Sequence, residues 1–278
     1  MRGIVGLKAI NVKPYRALFR IRFTNTLQYR GAALAGLTTQ FAWGFMYILS
    51  FRAFYASDPT AFPMAFEQMV SYIWMQQAFV ALFFIWFFEN SIFESIERGD
   101  IAYELVRPMD LYSRWFSMTT ANRFSRAAMR CIPILVIGFL LPWPFRLVLP
   151  TGFGRLALFF LSMMLSVGVV VSFSMLIYIS AFYTLNSMGT RIVLGVAGDF
   201  LAGGYIPIPF FPGALRTVVE LSPFGSMQNM PLLIFSGYLY GDALVRGLVI
   251  QVFWLVVLVV CGRLWIRRAL KRVVAQGG

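Results

Sequence analysis

One carboxylate, Asp199, stands inside an apolar block, in the run Gly195-Val196-Ala197-Gly198-Asp199-Phe200. A carboxylate at membrane depth costs about 2.5–3.5 kcal/mol on insertion scales, so it must face protein or water. It could attract a cationic solute along a pathway, or it could hold a structural hydrogen bond or ion pair with an arginine. Arg191 lies about two helical turns away, which argues against a direct pair within one straight helix. A second group of charges runs from Glu89 to Asp110 and mixes carboxylates with Arg98 and Arg107. A third, Arg123, Arg126 and Arg130, forms an i, i+3, i+7 stripe. That stripe suits lipid head groups or an acidic partner surface, and a positive-inside anchor is its plainest reading. Catalytic constellations are missing. The sequence has no histidine, no G-x-x-x-x-G-K-[ST] phosphate loop, no G-x-S-x-G elbow and no dinucleotide glycine pattern in a strand–helix setting. No catalytic, cofactor or metal residue is therefore expected in this chain.

The elements that position these charges need a solvent other than water. Of the 278 residues 59% are hydrophobic and only 13% charged, with a mean hydropathy of +0.74. A soluble domain carries roughly 25% charged residues, so an ordinary globule and a disordered chain are both excluded. The net charge of +13 would suggest nucleic acid in a soluble protein. Here the basic residues lie between and beyond apolar blocks, so membrane topology and anionic lipid explain them, and no nucleic-acid partner is expected. Cys131 and Cys261 each sit in an apolar run and read as small buried core residues, not a disulfide. The 29 Phe, 12 Tyr and 7 Trp could line an apolar path, although lipid-facing packing and interface belts use them more often.

Six apolar blocks are expected to span, at about Gly31–Phe54, Met69–Phe88, Ala127–Leu141 with an extension from Trp115, Leu156–Tyr183, Ile192–Ile208 and Leu244–Trp265. Before them, Lys13–Tyr29 is amphipathic. Lys13, Arg16 and Arg20 share one stripe, and Tyr15, Leu18, Phe19, Phe23 and Leu27 fall largely on another, as in an interfacial helix. No cleavable signal peptide is expected, since residues 1–30 lack an apolar core and a small-residue cleavage site. Pro133, Pro142 and Pro144 should kink or end the third block. Ser162, Ser166, Gly168 and Ser172 give the fourth a small-residue face fit for close helix packing or self-association. After the fifth, Gly203-Gly204-Tyr205-Ile206-Pro207-Ile208-Pro209-Phe210-Phe211-Pro212 holds three prolines in six residues and cannot continue a helix. One or two short re-entrant helices should follow in 213–243. Nineteen of the 24 basic residues lie in the N-terminal region, 89–130, 184–191 and the C-terminal end. That bias favours six spans with both termini in the cytoplasm.

The segment 89–110 reads as a compact helical elbow. Glu94 and Arg98 are spaced for an i,i+4 pair, Gly99 suits a helix C-terminus, and Asp100 and Asp110 suit N-caps. Ile92, Phe93, Ile96, Ile101, Leu105 and Val106 supply apolar faces, and a soluble partner is the natural docking target.

Three strings together, "ERGDIAYELVRPMDLY", "IPIPFFPGALRTVVELSPFGSMQNMPLLIFSG" and "WIRRALKRVVAQGG", resemble the permease subunits of ABC-2-type exporters, in the bacterial viologen-exporter-like or uncharacterised transport permease branch. The resemblance covers nearly the whole chain. It implies an all-α polytopic membrane protein of one transmembrane domain over 1–278: a 1–30 cytoplasmic or interfacial helix, six spans over 31–265, and a 266–278 basic tail. It also implies a second permease chain, identical or related, and two separate ABC ATPase subunits that bind the ATP and Mg and carry out hydrolysis. Location in the bacterial inner membrane is implied too. By position, ATPase coupling falls on Ser91, Phe93, Glu94, Glu97, Arg98, Gly99, Asp100, Glu104 and Arg107. Pathway candidates are Asp199, Tyr205, Pro207 and Pro209, with Tyr205–Gly237 closing the outer end. An ion-gradient transporter would want paired carboxylates and an internal repeat, and a membrane scaffold would have no need of the elbow. The cargo is not legible.

Overall fold

A computed structural model describes residues 12–28, 30–58, 62–184 and 186–272. The expectations placed on Arg2, Lys8, Tyr29 and the 273–278 end of the tail lie outside the described residues. Among the described residues the chain is mostly helical, with eleven α-helices and no strand. They are α1 Lys13–Leu27, α2 Arg30–Ser57, α3 Phe66–Phe83, α4 Asn90–Glu97, α5 Ile101–Leu105, α6 Leu111–Leu140, α7 Phe153–Ser180, α8 Met188–Leu201, α9 Gly213–Leu221, α10 Asn229–Phe235 and α11 Gly241–Ala269.

The core forms around α3, whose residues are almost all buried, packed between α2, α6 and α7. Trp74 explains how three helices close on it. Its indole lies against Gly44 of α2 and Gly138 of α6, where an added Cβ would come within 3.0 and 3.1 Å of the ring. Its Nε1 donates to the Phe145 carbonyl at 2.9 Å. α7 and α11 pack along each other, and these two helices are each long and apolar enough to cross a membrane. α11 leaves most of its residues exposed, as a lipid-facing helix does, whereas α7 is half-buried.

Several expectations change. The small-residue face of α7 is taken by the chain's own α11, not free for a second copy. Ser162 Oγ donates to Gln251 Oε1 at 2.8 Å, and a Cβ on Gly168 would meet Leu255 at 2.8 Å. Pro133 lies inside α6 without ending it, and the helix stops only at Leu140, before Pro142. The fifth block does not form one helix to Ile208. α8 has 14 residues, about 21 Å at 1.5 Å per residue, short of the roughly 30 Å hydrocarbon core. It ends in a Schellman turn, with Gly203 N–H donating to Phe200 O, Gly204 N–H donating to Asp199 O, and Gly203 at φ +81°. Neither cysteine is a buried core residue: both are free, Cys131 half-buried and Cys261 exposed. α1 turns its apolar side onto α6, where Phe19 and Phe124 have ring centroids 6.5 Å apart, and keeps Lys13, Arg16 and Arg20 outward.

Candidate functional site

The elbow forms as two short helices, α4 and α5, joined at Gly99, whose φ of +79° gives the turn. The expected Glu94–Arg98 ion pair is not made; Arg98 instead caps α4 through its backbone N–H. Nor does the Asp100 side chain cap α5, because its backbone is already helical there (φ −66°, ψ −5°). Asp110 does cap α6, accepting from Ser113 N at 2.9 Å. Its own backbone N–H donates to Tyr15 Oη of α1 at 3.0 Å.

The nine residues expected to couple divide into two sets. Ser91, Glu94, Arg98, Gly99, Asp100 and Arg107 are exposed. Phe93, Glu104 and Glu97, the last of them also exposed, are anchors. Phe93 is 1% exposed, with its ring 4.9 Å from that of Tyr178 and under the Arg191 guanidinium at 4.4 Å. Glu97 accepts from Ser187 Oγ at 2.6 Å. That hydrogen bond is the main cause holding its carboxyl below the usual range. Glu104 accepts from Trp115 Nε1 at 2.8 Å and pairs with Arg114 at 3.4 Å. Beside the outward set, Tyr103 is 75% and Val106 81% exposed. Glu97 and Arg191 tie the elbow to the start of α8, and Phe93 ties it to the end of α7.

Between α3 and α4 the chain is not helical, and this break draws in the two most deeply buried charges. Arg123 of α6 is 1% exposed. Its guanidinium donates to the carbonyls of Ala81 (3.2 Å), Leu82 (3.3 Å), Phe84 (2.7 Å) and Ile85 (3.4 Å), and to Ser174 Oγ of α7 (3.3 Å). The positive-inside anchor reading of Arg123 is overturned. It caps the end of α3 from another helix, because the terminal carbonyls of a helix lack partners of their own. Arg126 donates to Asn122 Oδ1 at 2.9 Å and lies over the Phe87 ring, and Arg130 packs against Gly36 of α2. Asp199, 2% exposed, accepts the Ile85 N–H at 2.7 Å. Glu89 closes the set: its N–H donates to Tyr178 Oη at 2.7 Å, and its carboxylate accepts from Asn122 Nδ2 at 2.9 Å. The structural role weighed for Asp199 is thus realised, through a backbone amide.

Beside this break a cleft of about 610 Å³ opens between α2, α3 and α8. Trp43, Tyr47, Phe84, Trp86, Phe88 and Tyr205 give it an aromatic wall; Gln40, Gln77 and Arg191 add polar groups, and Asp199 borders it. Asp199 and Tyr205 therefore meet at one site. Pro207 and Pro209 do not: both are buried and shape the short 3₁₀ turn Ile208–Phe210. Two short helices, α9 and α10, follow as expected. The turn after α8 is held from α3, where Gln76 Nε2 donates to Gly204 O at 3.0 Å and Gly203 O at 3.4 Å, and Tyr72 Oη donates to Gly203 O at 3.4 Å. The sequence carried no signal for this tie, since Gln76 and Tyr72 lie unremarked in an apolar block.

A profile of the family described as "ABC-2 family transporter protein" matches residues 41–277. No curated protein matches the chain.

Proposed function

This chain belongs to the ABC-2 transporter family, and on that premise we propose that it is the permease subunit of an ATP-driven exporter in the bacterial inner membrane. Two copies, or this chain and a related one, surround the pathway, and two separate ATPase chains bind at the elbow. We read residues 1–278 as one transmembrane domain with six spans and both termini cytoplasmic, on the strength of the basic-residue bias. The viologen-exporter-like branch rests on the three strings quoted above.

The observation that carries the reading is the elbow. It presents an outward polar set, Ser91, Glu94, Arg98, Gly99, Asp100 and Arg107, with Tyr103 and Val106 beside it. Its inner face is tied to α7 and α8 through Phe93, Glu97 and Arg191. A partner that grips the outer face thereby pulls on helices at the cleft. The cleft, with Asp199 and Tyr205 at its edge, is the candidate pathway. Energy enters as a difference in binding between two states: ATP draws the ATPase chains together, the elbows move, and the helices re-pack.

The test is co-purification of a soluble P-loop ATPase with the tagged chain from membranes. Charge reversal at Glu94 and Arg98 together should abolish it while the protein still inserts. Undiminished co-purification defeats this assignment of the elbow.

A further inference from the structure

We propose that Arg123 and Asp199 form a clamp on the non-helical segment Phe84–Glu89, so that displacement of the elbow reaches α6, α7 and α8 instead of being absorbed in that segment. The inference rests on the transport reading above and adds the positioning residues of its transmission step.

The segment is the covalent route from α3 to α4. Non-helical chain between two helices transmits motion poorly unless its backbone groups are fixed, because free φ/ψ changes take up the displacement. Here the Ile85 peptide is held on both sides. Its N–H donates to Asp199 of α8 and its carbonyl accepts from Arg123 of α6. Arg123 also grips Phe84 and the last turn of α3, and donates to Ser174 of α7. Farther along, Glu89 is tied to Tyr178 of α7 and Asn122 of α6. Three helices thus meet within six residues of chain through hydrogen bonds, two of the side chains being buried and of opposite charge. A guanidinium suits this place because its two terminal nitrogens carry four donors in one plane. Contact-level coupling of this sort becomes transmission only if the segment moves as a unit, and that is what the test reads.

The complex of this chain with its ATPase partner is reconstituted in lipid nanodiscs. Cys131 and Cys261 are replaced by Ala, and Val196, exposed on α8 at the cleft, by Cys. The rate of labelling by N-ethylmaleimide is measured with and without Mg·ATP and vanadate. The parent complex should change its rate about fivefold or more, the lower end of ordinary coupling. Arg123→Met should bring that ratio to about unity while the ATPase still co-purifies and hydrolyses ATP; Arg123→Lys, which keeps the cation and reaches part of the carbonyl set, should restore part of it. Where Arg123→Met does not accumulate, Asp199→Ala, which removes the acceptor for Ile85 N–H, carries the test, with a reduced ratio expected. A full ratio in Arg123→Met, or in Asp199→Ala where that variant stands in, overturns the clamp and leaves the transport reading intact. No nucleotide-dependent change in the parent overturns both.

Discussion

The chain breaks its helices at two places beside the same cleft, after α3 and after α8, and it repairs them with opposite chemistry. Each break is held by a side chain from the other helix. Asp199 of α8 takes the Ile85 N–H after α3, and Gln76 of α3 donates to the Gly203 and Gly204 carbonyls after α8. The first repair adds a buried arginine and is charged; the second is neutral and is finished by a glycine turn. The difference follows from the number of orphaned groups. After α3, four carbonyls need donors, more than one amide side chain can supply, and the two terminal nitrogens of a guanidinium bring four. After α8 the Schellman turn satisfies part of the helix end by itself, and two neutral donors complete it. Charge has been placed where four carbonyls are served from one side chain, which is also where the elbow attaches.

The largest effect should come from the charged repair. Asp199→Ala removes the acceptor for Ile85 N–H and leaves Arg123 buried without an opposite charge. The two side chains are not in ion-pair contact, so the main loss is that of a charged acceptor from a buried N–H, about 2–3 kcal/mol. Asp199→Asn keeps an acceptor and should lose less. Thermal inactivation midpoints in nanodiscs should rank parent, Asn, Ala. Equal midpoints for Asn and Ala would mean that the charge, not the amide contact, carries the repair.

The neutral repair should cost less. Gln76→Leu leaves the Gly204 carbonyl without its 3.0 Å donor and should destabilise by about 1–2 kcal/mol, given that a lost neutral partner costs about 1–3 and that polar ties inside membranes run lower. The same melting series measures it. A loss as large as that of Asp199→Ala would erase the distinction between the two breaks.

Much of this frame was legible in the sequence. The apolar blocks located α2, α3, α6, α7 and α11, because burial in lipid or protein demands apolar runs whatever the packing. Gly99 and Asp110 marked helix ends correctly, since each acts locally, within a few residues of its own position, whereas the end of α8 was placed too late, at Ile208. What failed were inferences about direction and partner. Arg123 shares a helical stripe with Arg126 and Arg130, and spacing alone does not tell that its side chain turns inward. The carbonyls it serves belong to a break some forty residues earlier. Phe93 and Glu104 lie in the right elbow but face its anchor side. The serine–glycine face of α7 announced close packing without naming α11 as the neighbour.

A third prediction sharpens how the elbow hangs on α8. Arg191 lies 4.4 Å over the Phe93 ring and donates to Asn90 Oδ1 at 3.3 Å. The ring is buried but the Arg191 guanidinium is only half-buried, and a cation–π contact of this kind is worth about 1 kcal/mol. Arg191→Ala should therefore leave the melting midpoint nearly unchanged while raising amide hydrogen exchange in α4. Unaltered exchange there would show that Phe93 packing alone fixes the elbow.

The smallest effect concerns acidity. Glu97 is exposed, and its hydrogen bond from Ser187 lowers its carboxyl from the ordinary 4.5. A lowered folded value means that the ionised form is preferred in the fold. The contribution is complete above the unfolded value and fades as pH falls through the folded one. The tie between α4 and the start of α8 should thus be constant from neutral pH down to about 5 and loosen only in stronger acid. A spin label at Arg98, read by its mobility across that range, should sharpen its signal only at the acid end. Glu97→Gln, which keeps an acceptor for Ser187 Oγ, should remove the acid step while leaving the neutral-pH signal close to the parent's. A step persisting in Glu97→Gln would assign it to another carboxylate of the elbow.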